Sequence, residues 1–201
     1  VKAASTMRHG GVSEGPYASL NLAAHVGDDP RAVQDNRRRL CALAELPAEP
    51  VWLNQVHGTT VFEISERSGA AGDADAAVSF TPGAVCAVMT ADCLPLLLCD
   101  QAGTVVAAAH AGWRGLVSGV IEATVAAMDR PADSLMAWLG PSIGPEHFEV
   151  GPEVREQFCA AAPEAAAAFR RGAGDRWLAD LSLLARQRLR VLGVRRVSGG
   201  A

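Results

Sequence analysis

The stretch from residue 84 to residue 128 limits the fold more than any other part of the chain. Ala84 to Cys99 is the most apolar run, and it is interrupted at Asp92-Cys93-Leu94-Pro95. It reads as two buried strands, or as one bent strand. Pro95 has no amide hydrogen, so it suits an edge or a break rather than a central ladder position. Thr104 to His110 is a continuous apolar strand that ends at a histidine. Ala111-Gly112-Trp113-Arg114-Gly115 turns the chain, and Leu116 to Met128 has helical periodicity. Strands alternating with helices imply an α/β or mixed α+β domain.

The flanking segments agree. Asp29 can cap a helix whose first turn holds Pro30, with Val33, Arg37 and Leu40 at helical spacing. Val51 to Ile64 reads as strand, exposed turn, strand, with Asn54-Gln55-Val56-His57-Gly58 as the turn. Asp73 to Val78 reads as a loop entering a strand. A helix is expected near Gly151-Pro152-Glu153. The Ala-rich residues 160–168 read as a surface helix. Leu178, Leu181, Leu184/Ala185, Leu189 and Leu192 form one apolar stripe, and Gly193 stops it. With 201 residues, the expectation is a single domain over 1–201. Val1 is not a Met and Ala201 follows closely on an apolar segment, so both ends read as cut from something longer.

Composition excludes several classes. Apolar residues make up 49% and charged residues 20%, which rules against disorder. A net charge of −4 argues against a nucleic-acid binder that works by bulk charge. The most apolar run is too short and too broken to cross a bilayer, and no signal peptide is expected from the opening residues. Five scattered cysteines are not a disulfide framework, so a cytoplasmic location is expected.

His57, Cys93 and His110 each lie where a strand should end or bend, which is where α/β proteins build sites. Imidazole and thiolate are natural zinc ligands, and three protein ligands leave a fourth position for water or substrate. The same residues also allow a Cys–His dyad with Cys93 as nucleophile. Spacing does not separate these chemistries, and each residue singly could be a packing residue. Arg114, in a Gly-bounded turn before a helix, suits an anion, and Arg8 beside Gly10-Gly11 has similar logic. Asp92 and Asp75 could orient a ligand histidine or act as a base.

Taken together, Thr6 to Ser13, Ser19-Leu20-Asn21-Leu22, His25 to Asp28, Asn54 to Gly58 and Asp73 to Ala76 resemble the YfiH family. That family is also called the multicopper polyphenol oxidoreductase (laccase) domain family. The most specific pair is Thr90-Ala91-Asp92-Cys93-Leu94-Pro95 with Ala109-His110-Ala111-Gly112-Trp113-Arg114-Gly115. Gly140 to Gly144 and Phe148-Glu149-Val150 extend the likeness along the whole chain.

The resemblance implies a compact α/β sandwich, similar to a deamidating toxin domain with a Cys–His pair. It implies metal ligands at His57, Cys93 and His110, holding zinc, with copper as the other candidate. It implies a purine nucleoside enzyme: phosphorolysis of adenosine, inosine and methylthioadenosine, and deamination of adenosine. Cys93, His110 and Asp92 are then the catalytic candidates. Arg8, Asn21, Asp75 and Arg114 are the candidates for holding a nucleoside and phosphate. The partners expected are these small molecules, without nucleic acid or membrane, on a monomer. The alternatives are an amide hydrolase editing peptidoglycan precursors and a copper-dependent phenol oxidase. The family usually continues past Val197-Ser198-Gly199-Gly200, so the resemblance leads to the expectation of a C-terminal tail beyond this sequence. Five histidines and no His-x-His pair cannot house a conventional multicopper set.

Overall fold

The computed structural model describes residues 1–65 and 71–200. Ala201, the end of the expected domain, lies outside the described residues. Helix α1 (Pro30–Leu43) is followed by strands β1 (Val61–Glu63), β2 (Ala76–Ser79), β3 (Leu94–Asp100) and β4 (Val106–Ala111). Then come α2 (Trp113–Ser118), α3 (Val120–Ala127), β5 (Leu135–Leu139), β6 (Glu149–Val150) and α4 (Pro152–Ala161). The chain continues through β7 (Phe169–Arg171), β8 (Trp177–Ala179), α5 (Leu181–Leu192) and β9 (Arg196–Gly199). Among the described residues, six strands form one sheet in the order β1-β2-β4-β3-β5-β9, and β6-β8-β7 form a smaller one. The outer pairs β1–β2 and β5–β9 are parallel, and the pairs between them are antiparallel. This is the mixed α/β class expected.

Strand alternation builds the core. Leu94, Leu96 and Leu98 point to one face of β3 and are almost completely buried. There they join Ala107, Ala109 and Ala111 of β4 and Ile121, Leu184 and Leu189 of the helices. The alanines of β4 let α3 lie close against the sheet. Ala77 joins Leu53, Ile64, Val51, Cys86 and Val88 in a second cluster. Leu96→Ala is expected to cost about 2–5 kcal/mol, read from a denaturant melt of an otherwise native protein.

The helices expected around 30–43, 152–161 and 181–192 are present. The Asp29 side chain caps α1 through the Arg31 amide (2.9 Å), and Gly193 ends α5 in the left-handed region.

Five expectations change. Residues 84–93 are not a strand beyond a single bridge, Cys86 to Val51, because the Gln55 carboxamide takes the amide and carbonyl of Met89 that a neighbouring strand would use. Of the strand pair expected over 51–64, β1 forms, together with that bridge and a second isolated one from Asn54 to Asp73. Pro95 sits in a central strand, not at an edge. It is the second residue of β3, where no amide is needed, and its carbonyl still accepts from Gly140 (2.8 Å). The helix expected over 116–128 is two helices, because Gly119 takes φ +100° between them.

Residues 160–168 also differ. Helix α4 stops at Ala161, because Pro163 pushes Ala162 out of the helical region, and a 3₁₀ run over Pro163–Ala168 buries Ala165 and Ala168.

The turn from β3 to β4 is held by Asp100. Its carboxylate accepts from the Thr104 hydroxyl (2.6 Å) and from the amides of Thr104 (2.6 Å) and Val105 (3.1 Å). The Thr104 hydroxyl bond, opposed by burial and helped by the two amides and Arg130, holds this carboxyl below its usual 3.8. A depressed carboxyl adds stability above its unfolded pKa and loses it as pH falls through the folded one. Asp100→Asn is therefore expected to destabilise the protein at neutral pH. The gap to the unaltered protein should close as pH drops below 3.8, seen in denaturant melts across an acid series.

Candidate metal centre

Adjacent strands bring distant residues together. The register pairs Leu94 with Ala111 and Pro95 with His110, so the start of β3 lies against the end of β4. Cys93 immediately precedes β3, and His110 is the last residue but one of β4. His57 comes from the turn before β1, at φ +61°, an uncommon backbone state for a non-glycine residue.

The ligand atoms of His57, Cys93 and His110 all lie within 4.8 Å of one another, the one such group found among the described residues. Cys93 Sγ is 3.8 Å from His57 Nε2, and the two imidazoles meet edge to face with centroids 4.7 Å apart. Tetrahedral coordination at zinc bond lengths puts ligand atoms about 3.3–3.6 Å apart. The donors are therefore spaced for one ion with a small adjustment. His57 is exposed, Cys93 half-buried and His110 buried, so the group opens to solvent on one side.

Asp75 lies behind the imidazoles and is fully buried. Its Oδ1 accepts from His110 Nδ1 (2.8 Å) and from the His57 amide (2.9 Å). Its Oδ2 accepts from the amides of Gly58 (2.6 Å) and Val56 (3.1 Å). With Nδ1 donating to the carboxylate, His110 keeps Nε2 free as a ligand, the usual carboxylate–histidine–metal arrangement. Burial pulls the Asp75 carboxyl upward, but the bonds from His110 and the three amides outweigh it and hold it below its ordinary value. Asp75 was expected among the substrate contacts; its burial and its four donors place it behind the ligands instead.

Burial pushes the His110 imidazole down despite its bond to Asp75, so the neutral ligand form is favoured. Burial, with the charges of Asp92 and Asp75, pushes the Cys93 thiol up. A thiol so placed is a poor free nucleophile, whereas a cation would favour its thiolate.

The other expected residues are more dispersed in role. Asp92 is exposed, and its carbonyl accepts from the Ile143 amide (2.9 Å). Arg8 is exposed, and Nε and Nη2 both donate to the Ala18 carbonyl, at 2.8 and 2.5 Å. Asn21 is occupied by its own turn: it donates to Asp28 (2.9 Å) and accepts from the Ala23 amide (3.0 Å). Arg114 is exposed and lies over the Trp113 ring at 4.5 Å.

Three residues escaped the sequence reading. The Gln55 carboxamide pairs with Met89 at 2.8 and 2.7 Å and so ties the His57 turn to the segment leading to Cys93. Asn36, fully buried on α1, accepts from the Val12 amide and donates toward Ser13, Ser19 and Asn21, which fastens the N-terminal loop. Gly112 faces the centre: a Cβ there would lie 2.8 Å from Cys93 Sγ and 2.9 Å from His57 Cδ2. Only the apolar neighbours of these residues carry a periodic signal. The residues themselves are recognised by what they touch.

Residues 2–201 match the family model described as multi-copper polyphenol oxidoreductase laccase. The chain belongs to this family. Within it, a purine nucleoside phosphorylase YfiH of Escherichia coli K12 is 56% identical over 200 residues, spanning 100% of this chain and 82% of that protein. A purine nucleoside phosphorylase of Haemophilus influenzae is 44% identical over 202 residues, spanning 100% and 82%. The crystal structure of a Neisseria meningitidis protein of the DUF152 family superposes with TM-score 0.92 at 52% identity, covering 96% of this chain and 79% of that one. Relatives so named support an enzyme. Among the described residues, no helix is long and apolar enough to cross a membrane.

Proposed function

We propose that the protein is a zinc-dependent purine nucleoside phosphorylase acting on adenosine, inosine and methylthioadenosine, with adenosine deamination at the same centre. The observation that carries this reading is the His57–Cys93–His110 group within 4.8 Å, backed by Asp75. His57, Cys93 and His110 would hold the ion. When bound, it supplies Lewis acidity beside the open fourth position.

The chain's own residues do the rest. The His110 Nδ1–Asp75 bond keeps one imidazole face fixed while substrate binds. Arg114 has no ion-pair partner among the described residues, and its guanidinium is free to hold a phosphate or ribose oxygen. Arg8 keeps only part of its donor fork for that purpose, since Nε and Nη2 serve Ala18. Asp92, exposed beside Cys93, is the carboxylate placed to move a proton on the solvent side. Five free cysteines suit a reducing cytoplasm, and the protein is proposed to act there as a monomer.

The family description makes copper the other candidate ion. One three-ligand group among the described residues suits a single ion, not a multicopper set. The metal-free amide hydrolase would use Cys93 with His57, 3.8 Å away, as a dyad, and amidase activity that survives chelation would favour it.

Metal analysis followed by incubation with adenosine, with and without phosphate, tests the reading. Adenine appearing only with phosphate reports phosphorolysis, and inosine reports deamination. A chelator should abolish both. Neither product, or full activity after metal removal, would overturn the proposal. Arg114→Ala is expected to raise KM for phosphate about tenfold, the scale of one charge-assisted hydrogen bond. Unchanged kinetic constants would remove Arg114 from the site.

A further inference from the structure

We propose that Asp75 is the positioning residue that sets both imidazole ligands at once, so that the metal centre is built before any ion arrives. This rests on the metal-dependent reading above. One carboxylate fixes the two histidines by different means. It holds the ring of His110 through Nδ1 (2.8 Å), and it holds His57 through the backbone, by gathering the amides of residues 56, 57 and 58.

That second hold explains the conformation of His57. A non-glycine residue at φ +61° costs about 1–3 kcal/mol unless its surroundings impose it. Three consecutive amides converging on one buried anion impose it here. Asp75 is itself buried and held through its backbone. Its amide donates to Thr60 (3.0 Å) and its carbonyl accepts from His110 (2.7 Å), which bonds the head of β2 to both ligand-bearing segments. Cys93 is not held by Asp75. It follows the Met89 segment that Gln55 ties to the same turn.

The consequence is a division of labour. His57, Cys93 and His110 donate to the ion, and Asp75 decides where two of the three donors stand. Asn at this position keeps the size. It loses the charge and places an N–H₂ group against at least one of the four donors.

The test uses metal-free protein refilled with Zn²⁺ against a chromophoric chelator, and separately with Co²⁺ to read thiolate and imidazole ligation from the absorption spectrum. Unaltered protein should bind about one equivalent. Asp75→Asn should bind about 10–100-fold more weakly and show an altered Co²⁺ spectrum, with unchanged circular dichroism. Asp100→Asn, which removes a buried carboxylate with three bonds away from the centre, should lose stability and keep the unaltered metal affinity. Equal affinity in Asp75→Asn overturns the positioning role alone. No stoichiometric uptake by the unaltered protein overturns the metal reading, and this inference with it. A second measurement needs no variant. In metal-free protein the amides of residues 56–58 should exchange slowly despite lying in a turn. Exchange at open-loop rates overturns the proposal.

Discussion

Cys93→Ala is expected to yield a folded protein that retains no metal and has lost about 10³-fold or more in kcat/KM for purine nucleosides, equivalent to about 4 kcal/mol of transition-state stabilisation. The fold should survive because Cys93 belongs to neither hydrophobic cluster and its sulfur touches His57 rather than the core. The change deletes one ligand of three and leaves two imidazoles that cannot alone hold an ion tightly. His110→Ala should be as inactive but less stable. It also strips one donor from the buried Asp75 carboxylate, a loss of about 1–3 kcal/mol. Metal content by mass spectrometry, steady-state rates and a thermal melt separate the two variants. Unchanged zinc content and turnover in Cys93→Ala would remove the centre from the chemistry.

The same contrast shows what the amino-acid sequence could and could not reveal. Local signals were readable. The Asp29 cap, the leucine stripe ending at Gly193 and the alternation of Leu94, Leu96 and Leu98 rest on neighbours close in sequence. The metal trio was readable as three polar residues at strand breaks, and the β3–β4 register is what brings two of them together. Residues 84–93 misled because an apolar run carries no sign that a distant side chain, Gln55, will take its backbone groups. Asp75 was readable as an acid near a strand but not as a buried one. Its partners arrive from residues 56–58 on one side and from His110 on the other. Asn36 gave no signal at all, since a single asparagine on a helix looks like a solvated residue until the loop it fastens is in place.

Gly112→Ala tests the centre without touching any ligand, and its expected effect rivals that of losing one. Gly112 has φ −64°, which alanine adopts freely, so the backbone is not the obstacle. The obstacle is space: the new methyl would sit 2.8 Å from Cys93 Sγ and 2.9 Å from His57 Cδ2. Neither neighbour gives way easily. The sulfur hangs from a residue that leads directly into the central strand β3, and the His57 ring stands on a turn clamped to Asp75. The methyl must therefore push the thiolate and one imidazole apart, across the gap an ion would bridge. Overpacking of this kind costs about 1–3 kcal/mol in stability, a shift of a few degrees in Tm for a chain of this size. The functional loss should be far larger, with metal retention and turnover falling together. Gly144→Ala is the matched control, because a Cβ there meets nothing within 4 Å. A Gly112→Ala protein that keeps its metal and its rate would show that the ion, if bound, does not sit between these three side chains.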